Sequence, residues 1–256
     1  MNVLEVLCPN KKNILVDADL YLYQATVASE ETICWSEEED IWSLRADLKQ
    51  AKRSFCERLE GFKERLGSDT LVLCFTGKGN FRKTVYEPYK SNRKKTRKPV
   101  GYAHMVEWAK EAWPSITRDL LEADDLLGIL QSAPGYDTLV VSDDKDLLGV
   151  PGQVYRPMKD ELHDVSLPDA DAWFLTQCLV GDSTDGYPGC PGIGPKTAPK
   201  VLGNHPSWEQ VAQAYIKAGF TREDALVQTR CARILRWEDW DQDTQQLILW
   251  SPAHAN

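Results

Sequence analysis

TLVVSDDKD, Thr138–Asp146, is a short apolar run rich in β-branched residues that stops on three aspartates in four positions. Such a run reads as a buried strand. Carboxylates crowded this closely repel and resist ionising together, so the arrangement costs stability unless positive charge sits among them. Two other stretches have the same form: ILVDAD, ending at Asp17 and Asp19, and LVLCFT, Leu71–Thr76. Three buried apolar strands that stop abruptly predict a parallel sheet. In such sheets the functional crevice lies at the C-terminal ends of the strands.

Between the first two strands, Leu44, Leu48, Ala51, Phe55, Leu59, Phe62 and Leu66 step by three or four residues. This predicts a helix with Ser43 as N-cap and Gly67 as its stop. Further helices are expected around Val106–Ala112 and Asp125–Gln131, which puts helices on both faces of the sheet. After about Ala172 the strand signal ends and helical patterns take over in WFLTQCLV, KVL, WEQVAQAYIKAG and EDALVQTRCARILRW. Two domains are therefore expected, an α/β domain over 1–172 and a helical domain over 173–256.

A chain of 256 residues, 42% hydrophobic with nine tryptophans, is long enough for one substantial core and a smaller second one. It has no apolar run of about 18 residues, and the lysines of MNVLEVLCPNKKN follow its apolar residues, the wrong order for a secretion signal. A cytoplasmic protein without membrane contact is expected. The seven scattered cysteines form no CxxC or zinc-spaced cluster and read as reduced thiols. The net charge of −9 argues against a nucleic-acid partner only on average, because Lys78–Lys98 holds nine basic residues and one acidic residue. That segregation predicts a cationic track beside an anionic pocket.

The anionic side consists of four sets: Asp17; Glu122, Asp124 and Asp125 in LLEADD; Asp144 and Asp146; and Asp182 with Asp185 in GDSTDG. Oxygen-only clusters suit hard octahedral cations, so two Mg²⁺ or Mn²⁺ ions are the expected counter-charge. Two such ions suit phosphodiester cleavage. A single Asp after a strand is most often a helix N-cap. Caps alone do not require paired aspartates along one edge of a sheet.

YPGCPGIGPKTA reads as a turn between two helices, with Pro195 at the first position of the second. Exposed N–H groups around Gly192 and Gly194, followed by Lys196 and Thr197, would face a phosphate. In FRKTVYEPYKSNRKKTRKPVGY, cations alternate with tyrosines, which suits a DNA backbone and exposed bases. Arg82, Lys83 and the run Lys94–Lys98 belong to this track, and the spacing of Lys90 and Arg93 sends both side chains one way.

With these residues in hand, the chain resembles the 5′-nuclease superfamily, and among its members the short phage 5′ to 3′ double-strand exonucleases. The motifs are ILVDAD, FRK, YKSNR, KPVGY, LEADD, SDDKD, GDSTDGYPGCPGIG and ARILRW. The resemblance implies a Rossmann-like (PIN-like) parallel-sheet nuclease domain with a basic helical arch over about 78–110. It implies a C-terminal helix-hairpin-helix that grips duplex DNA and holds K⁺ on its carbonyls. It also implies metal ligation by Asp17, Glu122, Asp124, Asp144, Asp146, Asp182 and Asp185, with Asp125 in support, and contact of Lys90 and Arg93 with the scissile phosphate. The expected activity is exonucleolytic cleavage of duplex DNA, with flap and RNase H-like cleavage beside it, by a monomer working near replication proteins.

The chain departs from this pattern at Thr76, where the superfamily carries a cluster aspartate, and Asp19 is the candidate to supply the missing charge. Ala18 and Gln24 also depart, and Pro199 predicts an irregular start to the helix after the hairpin. Two other readings compete: a structure-selective DNA-binding protein without cleavage, and a phosphatase using Asp17 and Asp19 through an aspartyl-phosphate.

Overall fold

The computed structural model describes residues 2–93 and 97–254. Lys94, Lys95 and Thr96 of the expected basic run lie outside the described residues. Eight strands precede the helical region: β1 (Lys12–Asp17), β2 (Glu30–Ser36), β3 (Ile41–Ala46), β4 (Thr70–Thr76), β5 (Ser115–Arg118), β6 (Asp137–Val141), β7 (Gly152–Arg156) and β8 (Glu161–Val165). Six form one sheet in the order β5-β4-β1-β6-β7-β8, parallel throughout except for β8 against β7. The chain builds outward from β1 through β4 to β5, then crosses to β6 on the other side of β1. This is the reversal of strand order at which α/β sheets open a crevice.

Strand alternation makes the two faces. Ile14, Val16, Leu71, Leu73, Leu139 and Val141 pack against α1 (Ala18–Ala28), α2 (Leu48–Leu66) and, after the four-residue α3 (Arg82–Val85), α4 (Tyr102–Ala112). Leu15, Val72, Cys74 and Val140 face the other way, onto α5 (Ala123–Gln131). Because both faces are covered, the central strands read as continuous apolar runs rather than alternating ones.

The helix expected from Ser43 begins later. Asp47 is its N-cap, accepting from the Lys49 and Gln50 amides, and Gly67 ends it in the left-handed conformation as expected. Ser43 and Leu44 instead belong to an antiparallel ribbon of β2 and β3 that projects with Trp35 68% exposed and Trp42 53% exposed. The expected arch is also different. Among the described residues of 78–110, α3 and tight turns lead into α4, which packs on the sheet.

The helical region comprises α6 (Leu167–Val180), α7 (Ala198–Leu202), α8 (Trp208–Lys217) and α9 (Arg222–Ala232). These share a separate core around Phe174, Leu179, Trp208, Tyr215 and Trp250. The boundary expected at 172/173 falls inside α6. The end of the chain also returns to the sheet, because Leu235 and Trp240 pack in the α5 core. Strand pairing also resumes briefly between Trp240–Asp241 and Gln246–Leu247. Helix α9 stops at Ala232, so the ILRW expected to continue it is extended or 3-10 backbone. Helix α7 starts at Ala198, three residues beyond Pro195. Pro199 then falls in the first turn, where its missing N–H would have no intrahelical partner anyway.

Candidate active site

All four acid sets reach one open cleft of about 400 Å³ at the C-terminal ends of the strands, lined by Asp17, Glu122, Asp124, Asp144, Asp146, Asp182 and Asp185. One acid in three of the sets is also a helix cap, and in the fourth Asp182 closes a turn. Asp17 accepts from the Leu20 amide, Asp144 from Asp146, and Asp182 from Thr184 and Asp185, while Glu122 caps α5 in a capping box with Asp125. Capping and lining the cleft are therefore the same arrangement. The cap bond fixes the rotamer, and the carboxylate is held at the cleft wall rather than left to solvent.

The loop carrying Asp182 and Asp185 is closed by glycines. A Cβ on Gly181 or Gly189 would lie 2.4 Å from the backbone of the other, so only glycines let the loop's two ends pass. Asp143 belongs to a different site, accepting from Tyr21 Oη at 3.3 Å and from the Met158 amide at 2.8 Å. It lies outside the cleft lining.

The cleft divides electrostatically. On one side, Lys90 Nζ binds Glu122 and lies 3.5 Å from Asp185, and the Arg93 guanidinium binds Asp185. Tyr89, which the sequence reading overlooked, has its hydroxyl 2.7 Å from Asp185 and 3.1 Å from Glu122, placed to donate its one proton to either carboxylate. Burial alone would raise the pKa of Glu122, but Arg82 and Lys90 hold it down to about 2. On the other side, burial and the charges of Asp19 and Asp144 push Asp17 up to about 7, against a hydrogen bond from Ser142. Burial and the carboxylates of Asp17, Asp144 and Glu122 hold Asp124 well above the usual range, with Lys90 a partial offset. Burial and Asp144 push Asp146 up to about 6. Here the described residues supply little of the counter-charge that the clustered aspartates require: Lys145 Nζ stands 4.0 Å from Asp146, and Lys90 offsets Asp124 only in part.

Lys90 and Arg93 converge without a helix. Lys90 has a left-handed φ of 55°, uncommon for a residue with a side chain, and its amide donates to the Asp185 carbonyl at 2.6 Å. Asn92 donates to the Ser183 carbonyl and Arg93 to Thr184, so the whole turn docks on the Asp182–Asp185 loop.

Two expected roles are corrected. Arg82, expected on the DNA track, is 3% exposed. It makes a two-pronged pair with Asp125 at 2.7 and 2.8 Å and donates to the carbonyls of Cys231 and Arg233 at the C-terminal end of α9. Asp125, expected as a supporting metal acid, is fully buried behind the wall. It also accepts from the Glu122 and Leu235 amides, so its oxygens are occupied. Arg82→Ala would leave Asp125 buried without its cation. The expected cost is about 3–5 kcal/mol, read from urea unfolding, whereas a shift below about 1 kcal/mol would mean that solvent reaches the pair.

Lys83, Lys196 and Thr197 are exposed, outside the cleft lining. Of the two hairpin glycines, Gly192 has the left-handed φ of 81° and Gly194 does not. The Gly194 amide, expected to be open for an anion, donates to Thr197 Oγ1 at 2.8 Å, and its carbonyl accepts from the Thr197 and Ala198 amides. Thr76 Oγ1 accepts from the Ala123 amide at 3.1 Å, tying the end of β4 to the start of α5.

Among the described residues, no three Asp, Glu, His or Cys side chains gather tightly enough to hold an ion unaided. The donor set still fits a hard divalent cation. Mg²⁺ retains several waters and is usually held by one or two carboxylates plus a substrate phosphate, so an open, carboxylate-rich wall with little counter-charge suits it.

The sequence matches, over residues 12–165, the family described as 5′-3′ exonuclease, N-terminal resolvase-like domain. It is 29% identical to the exodeoxyribonuclease of Enterobacteria phage T3, covering 96% of this chain and 94% of that protein. It is 32% identical to the DNA polymerase I of Rhizobium leguminosarum over 61% of this chain and 17% of that one. The fold resembles the T5 D15 protein co-crystallized with metal ions, with a TM-score of 0.64 at 14% identity, covering 88% of this chain and 90% of that one.

Proposed function

The chain belongs to the 5′-3′ exonuclease family and is a nuclease, and on that premise we propose that it hydrolyses phosphodiester bonds of duplex DNA from 5′ ends with divalent cations on its acid wall. The observation carrying this reading is the divided cleft: Asp17, Asp124, Asp144 and Asp146 crowd one side with, among the described residues, only Lys145, 4.0 Å from Asp146, beside them, while Lys90 and Arg93 pair with Glu122 and Asp185 on the other. Bound there, Mg²⁺ or Mn²⁺ would polarise a water and neutralise the phosphate under attack. The residues to hold them are Asp17, Asp124, Asp144, Asp146 and Asp182, with Glu122 and Asp185 completing the rim.

Lys90 and Arg93 are proposed to exchange their carboxylate partners for the scissile phosphate and to stabilise the charge that grows on it. Each change to Ala should lower turnover by about 10² while duplex affinity moves much less. Equal losses of rate and affinity would reduce the two residues to anchors.

Lys83 and the hairpin at Gly192, Gly194, Lys196 and Thr197 would contact backbone phosphates away from the cut, holding the duplex without reading its sequence. Residues 1–172 would then carry the chemistry together with Asp182 and Asp185, and the rest of 173–256 the grip. The family match speaks against the binding-only and phosphatase readings. No helix among the described residues is long and apolar enough to cross a membrane, and replication, recombination or primer removal in the host cytoplasm suits such an enzyme. The test is product analysis in Mg²⁺ on blunt, nicked, gapped and flapped 5′-labelled DNA. Nucleotides released stepwise from 5′ ends support the proposal, and cleavage confined to flaps would make the protein an endonuclease instead.

A further inference from the structure

Of the three central strands, β1 ends on Asp17 and β6 leads into Asp144 and Asp146, but β4 ends on Thr76, whose hydroxyl is taken by the Ala123 amide. The cleft wall at that point is filled from the neighbouring strand. Asp19, in the first turn of α1, reaches across so that Oδ2 accepts from the Thr76 amide at 2.7 Å and Oδ1 accepts from Tyr102 Oη at 3.0 Å. It lines the same cleft as Asp17, Asp124 and Thr76.

The simplest account of Asp19 is an acid favoured by the start of a helix. That account does not explain its aim, because Asp17 already caps α1 and a first-turn acid gains nothing from being fixed by two donors on other elements. Both donors are uncharged, so they orient the carboxylate without neutralising it. Tyr102 is itself held in place, buried at 7% exposure, edge-on to Tyr23 and beneath Lys98 Nζ at 4.5 Å. Burial and Asp19 also raise the pKa of its phenol, so it remains a donor.

We propose that Asp19 is a cation-positioning carboxylate of the cleft, standing where the end of β4 supplies none and aimed by the Thr76 amide and the Tyr102 hydroxyl. The inference rests on the reading of the wall as a divalent-cation site. It adds a residue that gives the wall charge on its β4 side, and a positioning residue, Tyr102, that acts only through it.

The test compares Mn²⁺ binding without DNA, by calorimetry, and cleavage rate in the parent, Asp19→Asn, Asp19→Asn with Thr76→Asp, and Tyr102→Phe. Asp19→Asn should weaken Mn²⁺ binding and turnover together, by about 10–100-fold, with the melting temperature retained. Asp at position 76 should recover most of both losses, since it returns a carboxylate to the same stretch of wall. Tyr102→Phe keeps the charge and loses the aim, and should cost about 10-fold in Mn²⁺ affinity. Parent-like Mn²⁺ binding and turnover in Asp19→Asn or Tyr102→Phe would overturn the inference while leaving the cation site standing. A loss in folded Asp19→Asn that Thr76→Asp does not recover would overturn the claim that the two positions serve one ion. A parent that binds no Mn²⁺ and cleaves in excess EDTA would overturn the cation site itself.

Discussion

Stripping divalent cations with EDTA will abolish cleavage completely and lower the melting temperature, and Mn²⁺ will restore both. The two effects have one origin. Asp17, Asp124 and Asp146 are held above their usual pKa by burial and by neighbouring carboxylates, Asp144 in every case, so the metal-free cleft stores repulsion that a bound cation would relieve. Any ion that binds only the folded state stabilises it by mass action, by about 2.7 kcal/mol at a hundredfold excess over its dissociation constant. The melting curve therefore reports binding independently of turnover. Cleavage that persists in EDTA would remove the basis for a cation-dependent wall. A melting temperature unmoved by Mn²⁺ in a cation-dependent enzyme would mean that ions arrive only with the DNA.

The three central strands and the acid sets were legible in the sequence because β1, β4 and β6 are apolar runs that stop abruptly, β1 on Asp17 and β6 shortly before Asp143, Asp144 and Asp146. Residue spacing also carried α2, whose buried face at Ala51, Phe55, Leu59 and Phe62 matches the expected one. The ribbon of β2 and β3 was not legible. Leu44 and Leu48 stand four apart as on a helix, and the ribbon turns on the acidic stretch SEEED, which has no glycine to mark a hairpin.

Composition misled at Arg82. A basic residue in a basic stretch reads as solvent-facing, but its partners come from Asp125, 43 residues on, and from carbonyls about 150 residues on that are available because α9 ends at Ala232. Long-range pairing of this kind leaves no local pattern. Lys90 and Arg93 line the cleft beside the acids, but not through the helical turn that their spacing suggested. Their convergence comes from a left-handed turn clamped by the Asp185 carbonyl, which spacing alone cannot distinguish from one turn of helix.

Asp124→Asn separates the two meanings that the acid sets have carried throughout. If Asp124 serves only as a first-turn acid of α5, removing its charge should cost about 0.3–1 kcal/mol of stability and leave cleavage intact. If it is part of the cation wall, the signs reverse. Neutralising a buried carboxylate pressed by Asp17, Asp144 and Glu122 removes repulsion from the metal-free protein, so its melting temperature should rise in EDTA. Turnover should meanwhile fall by about 10³, at the upper end for loss of one electrostatic group in an active site. Duplex binding measured in Ca²⁺ should hold or improve, because DNA phosphates meet one negative charge fewer. The variant thus gains stability and loses function, as expected for a residue whose cost to the fold is offset only when a cation is bound. A variant less stable in EDTA yet fully active would identify Asp124 as a helix-start acid and shift the cation wall onto Asp17, Asp144 and Asp146.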